Sequence, residues 1–67
     1  MAKIQVNGKK TTVKANSSIN DILKKYKINS KKVAVELNGK IIPKNNYQNK
    51  VVKSNDRLEI VQFIGGG

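Results

Sequence analysis

Apolar and polar residues alternate in three short segments of this chain, as they do in strands that bury one face. These segments lie at residues 3–7, 33–37 and 57–63. Asn7-Gly8 and Asn38-Gly39 follow the first two segments, and Asn-Gly supplies the positive φ angles that a tight hairpin turn requires. The pattern therefore predicts two hairpins, with return strands at residues 10–14 and 40–42, and one final strand.

A helical pattern follows the first hairpin. Its apolar residues recur at i, i+3, i+4 and i+7, and they are Ile19, Ile22, Leu23 and Tyr26. Residues with this spacing form one stripe on a helix, and we expect the stripe to lie in the core. Ser17 or Ser18 offers an N-cap, and Asp21 stands three residues after Ser18, as in a capping box. The sequence predicts one helix between the two hairpins.

The segment from residue 44 to residue 50 is polar apart from Tyr47, so it is predicted to be a surface loop or a short helical turn. Tyr47 is interpreted as a packing anchor. Pro43 ends the strand before this loop, and Val51 and Val52 are expected to return the chain to the core.

The final strand is expected to have a buried face and an exposed face. Leu58 and Ile60 alternate with Val61 and Phe63, so the two pairs point to opposite sides of the sheet. We expect Leu58 and Ile60 to pack with a set of apolar residues from the other elements: Ile4, Val6, Ile22, Leu23 and Val35. Hairpin, helix, hairpin and last strand together indicate an α+β fold in which a mixed sheet of four to five strands lies over one main helix.

Three glycines follow the last strand, at Gly65, Gly66 and Gly67. Glycine has no Cβ, so a glycine tail fits a narrow slot and adopts either sign of φ. A free α-carboxylate at Gly67 is ionised at neutral pH and can attack the α-phosphate of a nucleotide as a nucleophile. The alternative is a frayed polar terminus, because chain ends are usually poorly ordered. We expect one domain over residues 1–64 and a flexible tail over residues 65–67.

The composition argues against self-contained catalysis. The chain has no Cys and no His, and its four acidic residues are scattered, so the commonest nucleophile, general base and metal ligands are missing. We therefore expect no metal site and no cofactor bound by the chain itself. The absence of cysteine and of an apolar leader at the N-terminus indicates a cytoplasmic protein without a membrane segment.

The net charge of +10 raises the question of nucleic-acid binding. The lysines are spread from Lys3 to Lys53, and the three aromatic residues do not interleave with them as a stacking platform would. Arg57 is the one arginine, so bidentate recognition of guanine is nearly absent. We interpret the lysines as a solvated surface and expect no specific nucleic-acid partner.

Several motifs together resemble the ThiS family of sulfur carriers in thiamine biosynthesis. They are the run Val33-Ala34-Val35-Glu36-Leu37-Asn38-Gly39, the dipeptide Ile42-Pro43, the run Asn55-Asp56-Arg57-Leu58-Glu59-Ile60 and the glycine end. A glycine tail is common to ubiquitin-like carriers, whereas the Asn-Gly-x-Ile-Ile-Pro run and its spacing to the end are more specific. The resemblance covers the whole chain and implies the ubiquitin-like β-grasp fold.

The resemblance also implies a function and partners. The carboxylate of Gly67 would be adenylated by a ThiF-like activating enzyme that uses ATP and Mg, and would then receive sulfur from a donor protein to become a thiocarboxylate. A ThiG-like thiazole synthase would consume that sulfur, so the chain would be a protein co-substrate and not an enzyme. Val61, Phe63 and Ile64 are the candidate partner-binding residues beside the tail. The third glycine and the strong positive charge depart from the family pattern.

Three other functions share parts of this pattern. The small subunit of molybdopterin synthase has the same fold and tail chemistry, but subunits of that kind are longer than this chain. A TGS-like β-grasp module associated with RNA would be a binding domain with no need of a free glycine terminus. A protein tag conjugated to lysines would use the same tail.

Overall fold

A computed structural model describes residues 1–63 of the chain. Ile64, Gly65, Gly66 and Gly67, which include the whole predicted tail, lie outside the described residues. In chain order the described part contains β1 (Ala2–Val6), β2 (Lys9–Val13), α1 (Ile19–Lys25), β3 (Val33–Leu37), β4 (Lys40–Ile42) and β5 (Arg57–Gln62). Two short 3₁₀ turns, Ser30–Lys32 and Lys44–Asn46, precede β3 and follow β4.

The five strands form one mixed sheet in the order β2-β1-β5-β3-β4. β1 pairs antiparallel with β2, β3 pairs antiparallel with β4 and with β5, and β1 pairs parallel with β5. The last strand of the sequence therefore lies at the centre of the sheet, between the two hairpins. The sheet of four to five strands predicted from the sequence is confirmed, with five strands.

Both predicted hairpin turns are present and have the expected backbone. Asn7 and Gly8 have φ angles of 51° and 81°, and Asn38 and Gly39 have φ angles of 54° and 85°. Two successive positive φ angles are the mark of a type I′ turn, whose twist matches that of the flanking strands. Asparagine tolerates this region better than most residues, and glycine adopts it without a steric penalty.

A capping box begins the helix at Ser18. The Ser18 Oγ accepts a hydrogen bond from the Asp21 backbone N at 3.1 Å, and the Ser18 backbone N donates to Asp21 Oδ2 at 3.0 Å. Ser17, the other N-cap candidate, instead donates its hydroxyl to the Lys14 carbonyl at 2.7 Å. Lys24 and Lys25 in the last turn complement the negative end of the helix dipole.

Acid should weaken the start of the helix. Hydrogen bonds from the backbone and side chain of Ser18 hold the pKa of Asp21 below its usual value, with Lys24 adding a smaller attraction. The folded state therefore binds this proton less readily than the unfolded chain. The stabilisation is fully present above the usual aspartate pKa, and it is lost as the pH falls below that range and through the lowered pKa of the folded state. We expect the difference in urea midpoint between wild type and Asp21→Asn to shrink from pH 7 to pH 3. A difference that stayed constant would exclude a contribution from the carboxylate charge.

The core lies between the helix and one face of the sheet. Its buried apolar residues are Ala2, Ile4, Val13, Ile19, Ile22, Leu23, Val33, Val35, Leu37, Tyr47, Val52, Leu58 and Ile60. Leu58 and Ile60 face inward as predicted, while Val6 is partly buried and packs against the cluster. Tyr47 is buried and acts as the expected packing anchor, and burial raises the pKa of its hydroxyl.

Two residues assigned to the core from the sequence lie on the surface. Tyr26 is 40% exposed because the helix ends at Lys25, and its hydroxyl donates to Thr11 Oγ1 on the edge strand β2 at 3.2 Å. Val51 is 36% exposed because its segment is extended and forms an isolated bridge with Ser18. Successive residues of an extended chain point to opposite sides, so only Val52 of the valine pair reaches the core.

No helix within residues 1–63 has the length and apolar content that crossing a membrane requires.

Candidate functional site

Strand β5 brings the chain to the predicted site. Five residue pairs join it to β3, from Leu37 opposite Leu58 to Val33 opposite Gln62. On its other side, Leu58 lies opposite Val6 of β1. A strand paired on both sides and buried on one face is held rigidly, so β5 fixes the position of Phe63, the last described residue.

Phe63, the last described residue, extends this pairing by one position. Its backbone N donates to the Lys32 carbonyl at 2.9 Å. Phe63 is 43% exposed, and the Lys44 Nζ lies 5.4 Å from its ring centroid. The same Nζ donates to the Lys31 carbonyl at 2.8 Å. Phe63 is therefore an exposed aromatic residue whose backbone and ring both have partners in the fold.

The outward face of β5 carries an apolar surface beside Phe63. Val61 is 59% exposed, and Ala34 of β3 lies directly opposite it. Ile41 of β4 is 75% exposed on the same face, two strands away. Val61 and Phe63 were predicted to be exposed here, and both are. Ile41 was missed, because the neighbouring apolar residues Ile41 and Ile42 do not reveal which of them points outward.

Charged side chains divide the outward face into two halves. Glu36 and Glu59 lie directly opposite each other on β3 and β5, and Ile41 lies opposite Glu36. Like charges in this position destabilise a sheet, so packing within the domain does not explain the pair. On the other half, Gln5 has Lys10 of β2 on one side and Arg57 of β5 on the other. Acidic and apolar side chains therefore share the half formed by β3, β4 and the later part of β5.

Side chains in the turns hold the start of β5. Asn38 Oδ1 accepts from the Arg57 backbone N at 2.9 Å, and Asn38 Nδ2 donates to Asp56 Oδ1 at 3.0 Å. The Asp56 carboxylate also accepts from the Lys53 backbone N at 2.7 Å. Asn7 Oδ1 accepts from the Ile60 backbone N at 2.7 Å. Both hairpin asparagines thus fasten the strand that leads to the tail.

Sequence reasoning missed this second role of the asparagines. It assigned Asn7 and Asn38 to turns on the strength of their φ preference alone. A short amide side chain that follows a strand can also pair with backbone groups of a neighbouring strand, but the sequence does not show which strand is the neighbour.

No three His, Cys, Asp or Glu side chains in the described part of the chain come close enough to share a metal ion.

The ThiS family model matches residues 3–67 of this chain. The chain belongs to the ThiS family. It is 40% identical over 65 residues to the sulfur carrier protein ThiS of Bacillus subtilis, and the match covers 96% of this chain and 98% of that protein. The resemblance to ThiS stated from the sequence is therefore confirmed.

A second group of relatives consists of larger proteins. A thiazole synthase of Paramagnetospirillum magneticum is 42% identical over 65 residues, which are 97% of this chain and 20% of that protein. A thiazole synthase of Magnetococcus marinus matches with 34% identity over a similar share. This ThiS-family chain spans about a fifth of the length of these two relatives, so both thiazole synthases contain a ThiS-like segment.

A solved structure confirms the fold of this ThiS-family chain. The crystal structure of the thiamine biosynthesis protein ThiS from Geobacter metallireducens superimposes with a TM-score of 0.84 at 32% identity, covering 97% of this chain and 99% of that one. A solution structure of the Geobacter protein matches with a TM-score of 0.78. The β-grasp architecture expected from the sequence is correct.

Proposed function

We propose that this chain is the sulfur carrier of thiazole formation in thiamine biosynthesis and that the α-carboxylate of Gly67 carries the sulfur. The observation that supports this most directly is the match to the Bacillus sulfur carrier over nearly the full length of both chains. The family model also extends through Gly67, so the glycine end belongs to the matched region. In this function the protein is a substrate for other enzymes and not itself a catalyst.

Sulfur loading requires two nucleophilic displacements, one at the α-phosphorus of ATP and one at the carbonyl carbon of Gly67. A carboxylate oxygen of Gly67 attacks the α-phosphorus of ATP, pyrophosphate leaves, and an acyl-adenylate forms. Hydrosulfide, HS⁻, released by a donor protein then attacks the carbonyl carbon, the bond from that carbon to the AMP oxygen breaks, AMP leaves, and a thiocarboxylate results. Glycine suits both steps because it has no side chain to hinder approach to the carbonyl carbon.

The fold contributes position and reach. β5 holds the chain through Phe63, and four residues follow Phe63 in the sequence. Four extended residues span about 13 Å, which is enough to carry the carboxylate into a neighbouring active site while the sheet stays outside it. The outward surface formed by Val61, Phe63 and Ile41, continued in sequence by Ile64, is the face that a partner would grip.

Three partners follow from this function. A ThiF-like activating enzyme supplies the site for ATP and Mg, and a donor protein supplies the sulfur. A ThiG-like thiazole synthase consumes it, which is supported by the two thiazole synthases that contain a ThiS-like segment. We place the reaction in the cytoplasm, where activator and donor would meet the carrier.

Intact-mass measurement tests the proposed function. The chain is incubated with a candidate activating enzyme, ATP, Mg and a sulfur source, and we expect replacement of one terminal oxygen by sulfur, localised to Gly67 by fragmentation. A variant with one extra residue after Gly67 should stay unmodified, because its carboxylate is displaced from the activator's reaction centre. This variant should still fold. Equal modification of both chains, or sulfur found elsewhere, would contradict the role of Gly67.

Loss of the Phe63 ring should weaken binding to the activator. Exposed aromatic residues next to a reacting group are common interaction hot spots, so we expect Phe63→Ala to raise the Kd by roughly 5- to 30-fold while the domain stays folded. Calorimetric titration of the activator measures the Kd, and circular dichroism checks the fold.

Tyr26→Ala is a matched control for this prediction. Tyr26 has nearly the same exposure as Phe63, at 40%, and also lies under a lysine, with Lys25 Nζ 5.9 Å from its ring centroid. It lies beside β2, at the edge of the sheet, away from the end of β5. Tyr26→Ala should leave the Kd unchanged. Equal weakening by both variants, or unfolding of Phe63→Ala, would contradict the assignment.

A further inference from the structure

Lys44 joins three separate segments at the end of β5. It is the first residue of the 3₁₀ turn Lys44–Asn46, and its Nζ donates to the Lys31 carbonyl in the other 3₁₀ turn at 2.8 Å. The same Nζ lies 5.4 Å from the ring centroid of Phe63. Lys32, next to Lys31, accepts the hydrogen bond from the Phe63 backbone N. One ammonium group thus contacts both the ring at the end of β5 and the segment that pairs with its backbone.

We propose that Lys44 is a positioning residue for sulfur-carrier activation, which holds the Phe63 ring in the orientation that the activating enzyme contacts. This inference rests on the proposed function. The ammonium is fixed by the Lys31 carbonyl, and the face of the aromatic ring attracts it. A cation–π contact at an exposed site favours one ring orientation by about two- to fivefold, which is the size of effect to expect.

The expected effect falls on the encounter with the activator and not on the chemical step. A Phe63 ring that is already held in one orientation has less freedom to lose when it binds the activator. Losing the Lys44–Phe63 contact, here called the brace, therefore makes productive docking rarer. Once the tail is seated, the slot itself aligns the carboxylate, and Lys44 has no further part. The KM of the activator for the carrier should rise while kcat stays the same.

Kinetics of carrier-dependent ATP–pyrophosphate exchange test this with matched variants. Lys44→Met keeps the length of the side chain and removes the charge, and we expect a two- to fivefold rise in KM with unchanged kcat. Lys44→Arg retains a cation and a donor, so it should restore the wild-type KM. Lys25→Met is the control, because Lys25 Nζ also donates to a backbone carbonyl, that of Thr12 at 3.1 Å, and also lies over a ring, that of Tyr26. Lys25→Met removes the same charge beside β2, at the opposite edge of the sheet from β4, and should leave KM unchanged.

A double-mutant cycle separates positioning from direct contact. If Lys44 acts through the ring, Lys44→Met should have no further effect on KM in a Phe63→Leu background. If Lys44 instead contacts the activator, its substitution would raise KM equally in both backgrounds, and the proposal would be overturned. An equal effect of Lys25→Met would also overturn it, because net charge alone would then explain the result.

Nuclear magnetic resonance tests the brace without any activator. The Lys44 Hε protons should be shifted upfield by the ring current of Phe63, and the shift should vanish in Phe63→Leu. The Phe63 amide should exchange faster with solvent in Lys44→Met. Absence of the ring-current shift would overturn the brace and leave the proposed function intact. Failure of the wild-type chain to support exchange with its activator would instead overturn the proposed function and, with it, the positioning role.

Discussion

Deleting Gly66 and Gly67 together is expected to abolish carrier-dependent ATP–pyrophosphate exchange and sulfur loading. The deletion moves the terminal carboxylate to Gly65 and shortens the reach by about 7 Å, so the nucleophile no longer arrives at the α-phosphate. Nucleophile and phosphate must come within about 3 to 3.5 Å to react, and a displacement of even 1 Å can cost about a hundredfold in rate. Deleting Gly67 alone should reduce exchange strongly but less completely.

Both deletions should leave the domain folded. Within residues 1–63, the buried cluster lies between Ala2 and Ile60, and neither deletion removes a residue of that cluster. Thermal melting curves of the deletion variants should therefore overlay that of the wild type. If the double deletion supported exchange as well as the full chain did, the terminus would not be the reagent and the carrier function would have to be abandoned.

Truncation of Leu58 is expected to have the largest effect on stability. Leu58 has no exposed surface and lies between Val6 of β1 and Leu37 of β3, at the centre of the sheet. Leu58→Ala, and Ile60→Ala two residues along, should each lower the free energy of unfolding by about 2 to 5 kcal/mol. A chain of this size has roughly 3 to 10 kcal/mol in total, so either variant can be largely unfolded at room temperature.

Val61→Ala is the matched control on the same strand. Val61 points to the outward face and is 59% exposed, so its truncation should change the free energy of unfolding by less than about 0.5 kcal/mol. Urea denaturation followed by circular dichroism measures all three variants. A Leu58→Ala midpoint equal to that of the wild type would show that β5 does not form the centre of the core.

The sequence predicted the secondary structure well where a structural feature depends only on residues that are close together in the chain. Asn7-Gly8 and Asn38-Gly39 form turns because positive φ is a property of those residues themselves. The capping box at Ser18 involves groups only three residues apart. Val33, Val35 and Leu37 occupy every second position, and every second side chain of a strand points to the same face of the sheet. This alternation was enough to predict that the three side chains are buried.

Errors arose where the outcome depended on a distant segment. Tyr26 continues the helical spacing, yet the helix has ended there and the ring lies beside β2. Val51 is as apolar as Val52, yet the bridge to Ser18 turns it outward. In each case the residue type was read correctly and the deciding contact lies far away in the sequence.

The sequence by itself determined the turns, the helix cap, most of the core, the family resemblance and the glycine tail as the candidate reagent, since each depends on residue type and short spacing. The tertiary structure alone decided that β5 lies between β1 and β3, that Ile41 joins Val61 and Phe63 on the outward face, and that Glu36 faces Glu59. It also decided that Lys44 reaches the Phe63 ring. The physical reason is that strand order and register are set by packing the whole buried cluster at once, and a short window of sequence contains only one side of each of those contacts.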